Sequence, residues 1–231
     1  MTDRLVSPYS GVFFDLDGTL ADTAPDLVAA ANQLLIARKL EPKPYELLRP
    51  RASAGARGLI FGAFAMGTDH PDFNTLRDEF FSNYEKALLV NSKLFEGIAH
   101  LLDQMDAAQT PWGIITNKSE RFTNPLTDLM GLRQRAVATI SGDTTPYSKP
   151  HPEPILHAAR IANVDPTKAL YVGDDIRDVV AGRAAGMQTI AAAYGYCGCD
   201  EPPDEWGADY LIQHPSELME IIYPSRNKTA I

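Results

Sequence analysis

Short apolar runs alternate with helix-period segments along most of this chain, and that alternation limits the fold more than any other feature. Gly11 to Phe14, Trp112 to Ile115, Ala136 to Ile140, Ala169 to Val172, Gln188 to Ala193 and Asp209 to Ile212 are rich in β-branched and aromatic residues and stop at polar or turn residues. They read as buried strands. Between them lie apolar stripes of period 3.6 over Ile98 to Met105, Ser119 to Met130, Pro154 to Ala162 and Ile176 to Ala185, and a final one over Ser216 to Ile222. Gly131 and Gly186 close two of these, as glycine commonly does at helix ends. Strands alternating with single helices imply right-handed βαβ crossovers and a doubly wound, Rossmann-like parallel α/β sheet.

The series is interrupted once, after its first strand. Thr23 can cap a helix, with Asp26 three residues on as capping-box partner and Pro25 in the first turn. Its stripe is Leu27, Ala30, Ala31, Leu34 and Leu35. A stretch of small residues from Ala52 to Met66 follows, and then a second stripe of Phe73, Leu76, Phe80, Tyr84 and Leu88. No strand is visible between about residues 21 and 92. The expected organisation is an α/β core from residues 1–20 and 93–231, with an inserted all-helical cap domain at 21–92.

Composition narrows the function. The 231 residues carry 30 acidic and 21 basic side chains, a formal net charge of −9. That balance argues against nucleic acid and against a polybasic membrane contact. An anionic ligand must be met by a few local cations, because the overall field repels it. Cys197 and Cys199 make no disulfide framework, and the five histidines show no metal-ligand spacing. Met1 to Ser10 lacks an apolar leader, and the run Leu59 to Met66 is too short to span a bilayer. A reducing cytoplasm, a monomer or weak homodimer, and a loose tail from Pro224 to Ile231 are expected.

In a doubly wound sheet, ligands sit outside the carboxyl ends of the strands. Four places qualify: Asp15-Leu16-Asp17-Gly18-Thr19, Thr116-Asn117-Lys118, Lys149, and Asp174-Asp175 with Asp178 three residues on. Packed carboxylates repel unless a cation lies among them, and an all-oxygen cluster suits Mg²⁺. Lys149 stands where a helix dipole disfavours a cation, after which Pro150, Pro152 and Pro154 fix an extended entry; a lysine there is expected to point at a bound anion. Each motif alone has an ordinary reading. Asp17-Gly18 could be a turn, Asp175 with Asp178 a helix cap and its partner, Thr116-Asn117 the start of a turn, and Lys149 a solvated lysine. Their joint placement at strand ends favours a site.

Together these motifs resemble the haloacid dehalogenase-like hydrolases, and within them the phosphoglycolate phosphatase-like group. Ser92 to Gly97, Trp112 to Lys118 and Tyr194-Gly195-Tyr196 are similar to the subgroup of bacterial N-acetylmuramic acid 6-phosphate phosphatases of cell-wall recycling. The resemblance implies a haloacid dehalogenase-type core with a helical cap and a Mg²⁺-dependent phosphomonoesterase. Asp15 would be the nucleophile that forms an aspartyl-phosphate, and Asp17 the general acid and then base. Mg²⁺ would sit on Asp15, the Asp17 carbonyl and Asp174. Thr116, Asn117 and Lys149 would hold the phosphoryl oxygens, with Asp175 and Asp178 supporting the metal from behind. The substrate would be a small phosphorylated metabolite, N-acetylmuramic acid 6-phosphate or 2-phosphoglycolate. Arg51, Ser53, Gly55 and Arg57 are candidate substrate selectors in the cap. A β-phosphoglucomutase-type phosphotransferase shares these motifs, and a silent binding protein on the same fold is a further reading. An acid two residues after the nucleophile favours ester chemistry over dehalogenation, because halide leaves unprotonated.

Overall fold

The computed structural model describes residues 5–224. Six strands form one parallel sheet: β1 (Gly11–Phe14), β4 (Trp112–Ile115), β5 (Thr139–Ile140), β6 (Ala169–Gly173), β7 (Gln188–Ala192) and β8 (Tyr210–Ile212). Their spatial order is β5-β4-β1-β6-β7-β8. β1 therefore has β4 on one side, with Phe13 opposite Gly113, and β6 on the other, with Phe13 opposite Tyr171. The chain winds outward to β5, crosses back, and winds outward again from β6. The two directions part at β1, which is the topological switch point of the sheet.

Helices α5 (Ile98–Ala108), α6 (Glu120–Leu129), α7 (Glu153–Ala162), α8 (Ile176–Ala184) and α9 (Glu217–Ile222) follow the core strands. One apolar layer joins Val12, Phe14, Ile114, Leu170 and Val172 to Leu101, Leu102 and Leu218. The other joins Phe13, Ile115 and Tyr171 to Ile155, Ala158 and Ala181. Alternate residues of β1 thus face opposite layers, as the two-residue pleat requires. Each fully buried Leu, Ile or Phe contributes roughly 1.5–3 kcal/mol by leaving water.

Between β1 and α5 lie α1 (Ala24–Ala37), α2 (Tyr45–Leu48), a 3₁₀ segment (Arg49–Ala54), α3 (Gly55–Phe64) and α4 (Phe73–Lys86). They have their own cluster of Leu27, Leu34, Leu48, Leu59, Phe80 and Tyr84. Two corrections to the sequence expectation arise here. A two-residue strand, β2 (Ala21–Asp22), pairs antiparallel with β3 (Lys93–Leu94), so the insertion enters and leaves through a short ribbon. The Thr23–Asp26 capping box does not form. Thr23 occupies the N-cap position without a side-chain cap bond, and its hydroxyl donates to Asp17 instead. The Asp26 carboxylate accepts from the backbone N–H groups of Val90, Asn91 and Ser92 and from the Ser92 hydroxyl at 2.6 Å. Partners distant in sequence took both side chains from their local bonds. Burial pushes the Asp26 carboxyl up, but the bonds from Ser92, Asn91 and Val90 outweigh it and hold it below its usual range.

The strand expected from Ala136 shortens to Thr139–Ile140 at the sheet edge. Beyond Pro224 the expected loose tail lies outside the described residues. No helix among the described residues is long and apolar enough to cross a membrane.

Candidate active site

Asp15 follows β1, Thr116 follows β4 and Asp174 follows β6, so the three central strands of the sheet deliver their terminal side chains to one crevice. Oxygens of Asp15, Asp174 and Asp178 lie within 4.8 Å of one another. Asp174 and Asp178 are 1% exposed and Asp15 is 9% exposed.

Neighbours hold each carboxylate in place. Asp174 accepts from the Thr19 hydroxyl at 3.0 Å and from the Tyr196 N–H at 2.7 Å. Gly18, at φ +88°, packs so tightly on Asp174 that a Cβ there would fall 2.1 Å from Oδ2. Asp175 accepts from the Arg177 N–H at the start of α8, and Asp178 accepts from the Asp175 N–H, which makes a reciprocal capping box. Asp178 therefore serves both as cap partner and as a member of the carboxylate cluster. Asp175 is turned to the Arg177 guanidinium at 2.7 Å and is not in the cluster.

Lys149 reaches into the same cluster. Its ammonium lies 2.7 Å from Asp178 Oδ1 and donates to the Ile115 carbonyl and the Tyr171 hydroxyl. It is also 2.9 Å from Asp15 Oδ1, an ion pair in which that buried oxygen makes no directed hydrogen bond. Burial would strip the Lys149 proton, but the Asp15 and Asp178 carboxylates hold the ammonium firmly charged. Asn117 clamps the Lys149 backbone, accepting from its N–H at 2.9 Å and donating to its carbonyl at 2.8 Å. The Lys149–Pro150 peptide is cis.

Burial, then Asp15 and Asp178, push the Asp174 carboxyl well above its ordinary range. Burial raises Asp178 to about 7 although Lys149 pulls it down. Such a cluster holds its charges poorly without a cation. Among the described residues, Asp15, Asp17, Asp174, Asp175 and Asp178 line the cavity with Lys118, Lys149 and Arg177. With all five ionised the lining would carry more negative than positive charge, and the raised Asp174 and Asp178 hold their charges only when a cation joins them. The all-oxygen donors of Asp15, Asp174 and Asp178, with Asp15 Oδ1 making no directed hydrogen bond, fit Mg²⁺.

The cavity of about 310 Å³ lies between the sheet edge and the helical insertion. Phe80, Phe81, Tyr84 and Phe122 form one wall, with Phe81 and Phe122 centroids 5.2 Å apart and Tyr84 and Phe122 5.4 Å apart. The segment from Ala52 to Ala56 also lines the cavity, which brings two of the four cap candidates, Ser53 and Gly55, to it. Arg51 and Arg57 do not line it. The Arg51 guanidinium lies 5.2 Å from the Phe61 ring, and Arg57 borders a separate surface depression. Arg49 and Arg177, not singled out from the sequence, bridge insertion and core. Arg49 donates to the carbonyls of Gly195 and Tyr194, and Arg177 to that of Ser53. Lys118 was also missed as a site residue; it ion-pairs with Asp17 at 2.9 Å.

The family model of the haloacid dehalogenase-like hydrolases matches residues 12–192. The N-acetylmuramic acid 6-phosphate phosphatase of Pseudomonas putida is 43% identical over 211 residues, covering 91% of this chain and 95% of that protein. The phosphoglycolate phosphatase of Xanthomonas campestris pv. campestris is 42% identical over 209 residues, covering 90% and 94%. Among solved structures, a predicted phosphoglycolate phosphatase from Haemophilus somnus superposes with a TM-score of 0.82 at 24% identity, over 94% of this chain and 99% of the other.

Proposed function

This chain belongs to the haloacid dehalogenase-like hydrolases as a phosphatase of that family, and on that premise we propose that it is a Mg²⁺-dependent phosphomonoesterase that works through an aspartyl-phosphate. The observation that carries the reading is the meeting of Asp15, Asp174 and Asp178 within 4.8 Å at the switch point, beside a cavity large enough for an organic ester.

In the first half-reaction a carboxylate oxygen of Asp15 attacks phosphorus and the bond from phosphorus to the leaving oxygen breaks. Asp17 gives its proton to that oxygen. In the second, Asp17 takes a proton from water, whose oxygen attacks the same phosphorus and releases phosphate and the Asp15 carboxylate. Thr116, Asn117 and Lys149 are the candidate holders of the phosphoryl oxygens, although Lys149 must share its ammonium with Asp15 and Asp178. Mg²⁺ held by Asp15, Asp174 and the Asp17 carbonyl, with Asp178 adjoining, would offset the repulsion between the nucleophile and the phosphate dianion. The helical insertion covers the cavity and keeps bulk water from the acyl phosphate.

For the substrate, the aromatic wall supports N-acetylmuramic acid 6-phosphate over 2-phosphoglycolate. A sugar ring offers apolar C–H faces to Phe81 and Phe122, whereas a two-carbon acid leaves that wall uncovered. The experiment is a phosphate-release screen with Mg²⁺ across N-acetylmuramic acid 6-phosphate, 2-phosphoglycolate, several sugar phosphates and p-nitrophenyl phosphate. The highest kcat/KM is expected with N-acetylmuramic acid 6-phosphate. Hydrolysis of none of these esters would show the reading to be wrong.

A further inference from the structure

Three cations line the cavity, and two are committed to groups that build the site. Lys149 is shared among Asp15, Asp178, the Ile115 carbonyl and the Tyr171 hydroxyl. Arg177 is shared between Asp175 and the Ser53 carbonyl. The third, Lys118, is directed at Asp17. Its ammonium donates to both carboxylate oxygens, at 2.9 Å and 3.2 Å, with the side chain only 8% exposed. From another element, the Thr23 hydroxyl donates to Asp17 Oδ1. On its far side the Lys118 ammonium lies 4.7 Å from the centroid of the Tyr84 ring, which α4 of the insertion supplies. A carboxylate held by two donors from separate elements has little freedom to rotate, and the stronger of the two is the charged one.

We infer that Lys118 is a positioning residue that acts through Asp17, fixing the carboxylate that moves the proton, and that Tyr84 keeps Lys118 in place when the insertion lies over the sheet. The inference rests on the phosphomonoesterase reading. Lys118 itself neither gives nor takes a proton. Asp17 keeps Oδ1 as the acceptor from Lys118 and Thr23 and uses the more weakly held Oδ2 to give its proton to the leaving alkoxide and later to take one from water, while the ammonium stays charged and holds the carboxyl group aimed.

Leaving groups separate this role from a direct hold on phosphate. A p-nitrophenolate departs without a proton, so the first turnover of p-nitrophenyl phosphate depends little on Asp17; a hexose 6-phosphate depends on it fully. In single-turnover measurements, Lys118→Met should slow the first half-reaction of a hexose 6-phosphate by about 10- to 100-fold, a part of the roughly 10²- to 10⁴-fold that general acid catalysis supplies. The p-nitrophenol burst should be slowed at least about tenfold less. Asp17→Asn should show the same selectivity more strongly, and Lys118→Arg should recover part of the lost rate. If Lys118→Met does not fold, Lys118→Gln serves in its place. Equal losses with both esters would assign Lys118 to the phosphoryl group, and no loss with either would leave it a packing residue; each overturns the inference. A wild type that hydrolyses neither ester overturns the underlying reading, whereas an active wild type with a selective Asp17→Asn and an unselective Lys118→Met overturns this inference alone.

Discussion

Gly18 lies against Asp174 with no space for a side chain: a Cβ would stand 2.1 Å from one carboxylate oxygen and 2.6 Å from the carboxyl carbon. The same residue has φ +88°, which non-glycine residues adopt only with strain. Gly18→Ala therefore strains the turn and displaces Asp174 together. The expected outcome is a loss of kcat/KM and of apparent Mg²⁺ affinity on the order of 10- to 100-fold, the usual effect of disturbing a metal ligand's support. Magnesium titration of phosphate release checks it; an unchanged midpoint would count against a metal at Asp174.

Asp15→Asn removes the nucleophile and one charge from a crowded cluster. Phosphate release should fall by on the order of 10⁴-fold or more, while circular dichroism and melting show a folded protein. Residual activity near the wild-type level would exclude Asp15 as the attacking group.

Chelation should abolish activity, and Mg²⁺ should raise Tm because it offsets the repulsion among Asp15, Asp174 and Asp178. At a hundredfold excess over Kd the gain is about 2.7 kcal/mol. A melting series with and without Mg²⁺, repeated on Asp174→Asn, is the check, and the variant should lose the shift.

Asp26 ties the start of α1 to the segment at Val90 to Ser92. Its carboxyl titrates lower in the folded chain than in the unfolded one. The contribution is therefore complete above the unfolded value of about 3.9 and is lost as pH falls through the folded value. Asp26→Asn should cost about 1–3 kcal/mol near neutrality through donors left unpaired. Urea unfolding at neutral pH and at about pH 3 should show wild type and variant converging in acid.

Phe81→Ala opens the aromatic wall. Loss of a stacking contact of about 0.5–1.5 kcal/mol predicts a KM for N-acetylmuramic acid 6-phosphate raised roughly 2- to 12-fold. The KM for 2-phosphoglycolate should stay unchanged. Parallel changes for both esters would remove Phe81 from substrate discrimination.

The sheet and its strand-end acids were legible because buried strands announce themselves as short apolar runs and because parallel topology sends their carboxyl ends to one edge. Asp15 and Asp174 needed nothing more. Lys118 was not legible as a partner of Asp17, since 101 residues separate the two and only the β1–β4 pairing brings them together. Thr23 and Asp26 show the opposite failure. Their spacing satisfies a local capping rule, yet Asp17 and the Val90–Ser92 segment offered these side chains better partners. The arginines misled for a related reason. Arg51 and Arg57 stand near the turn in sequence, but the 3₁₀ segment and the first turn of α3 carry them away from the cavity, while Arg49 spans to Tyr194 and Gly195.

Tyr196 joins the acid cluster to the insertion. Its N–H donates to Asp174, and its hydroxyl accepts from the N–H groups of Thr23 and Ala24, where the insertion leaves the ribbon. One tyrosine is thus a common axle for a sheet carboxylate and the first turn of α1. Arg49, whose guanidinium lies 5.1 Å from the Tyr196 ring, ties the insertion to the core at the same place, whereas Arg121 with Glu85 and Arg177 with the Ser53 carbonyl tie it elsewhere; a swing about Tyr196 that left Asp174 in place would have to part those two.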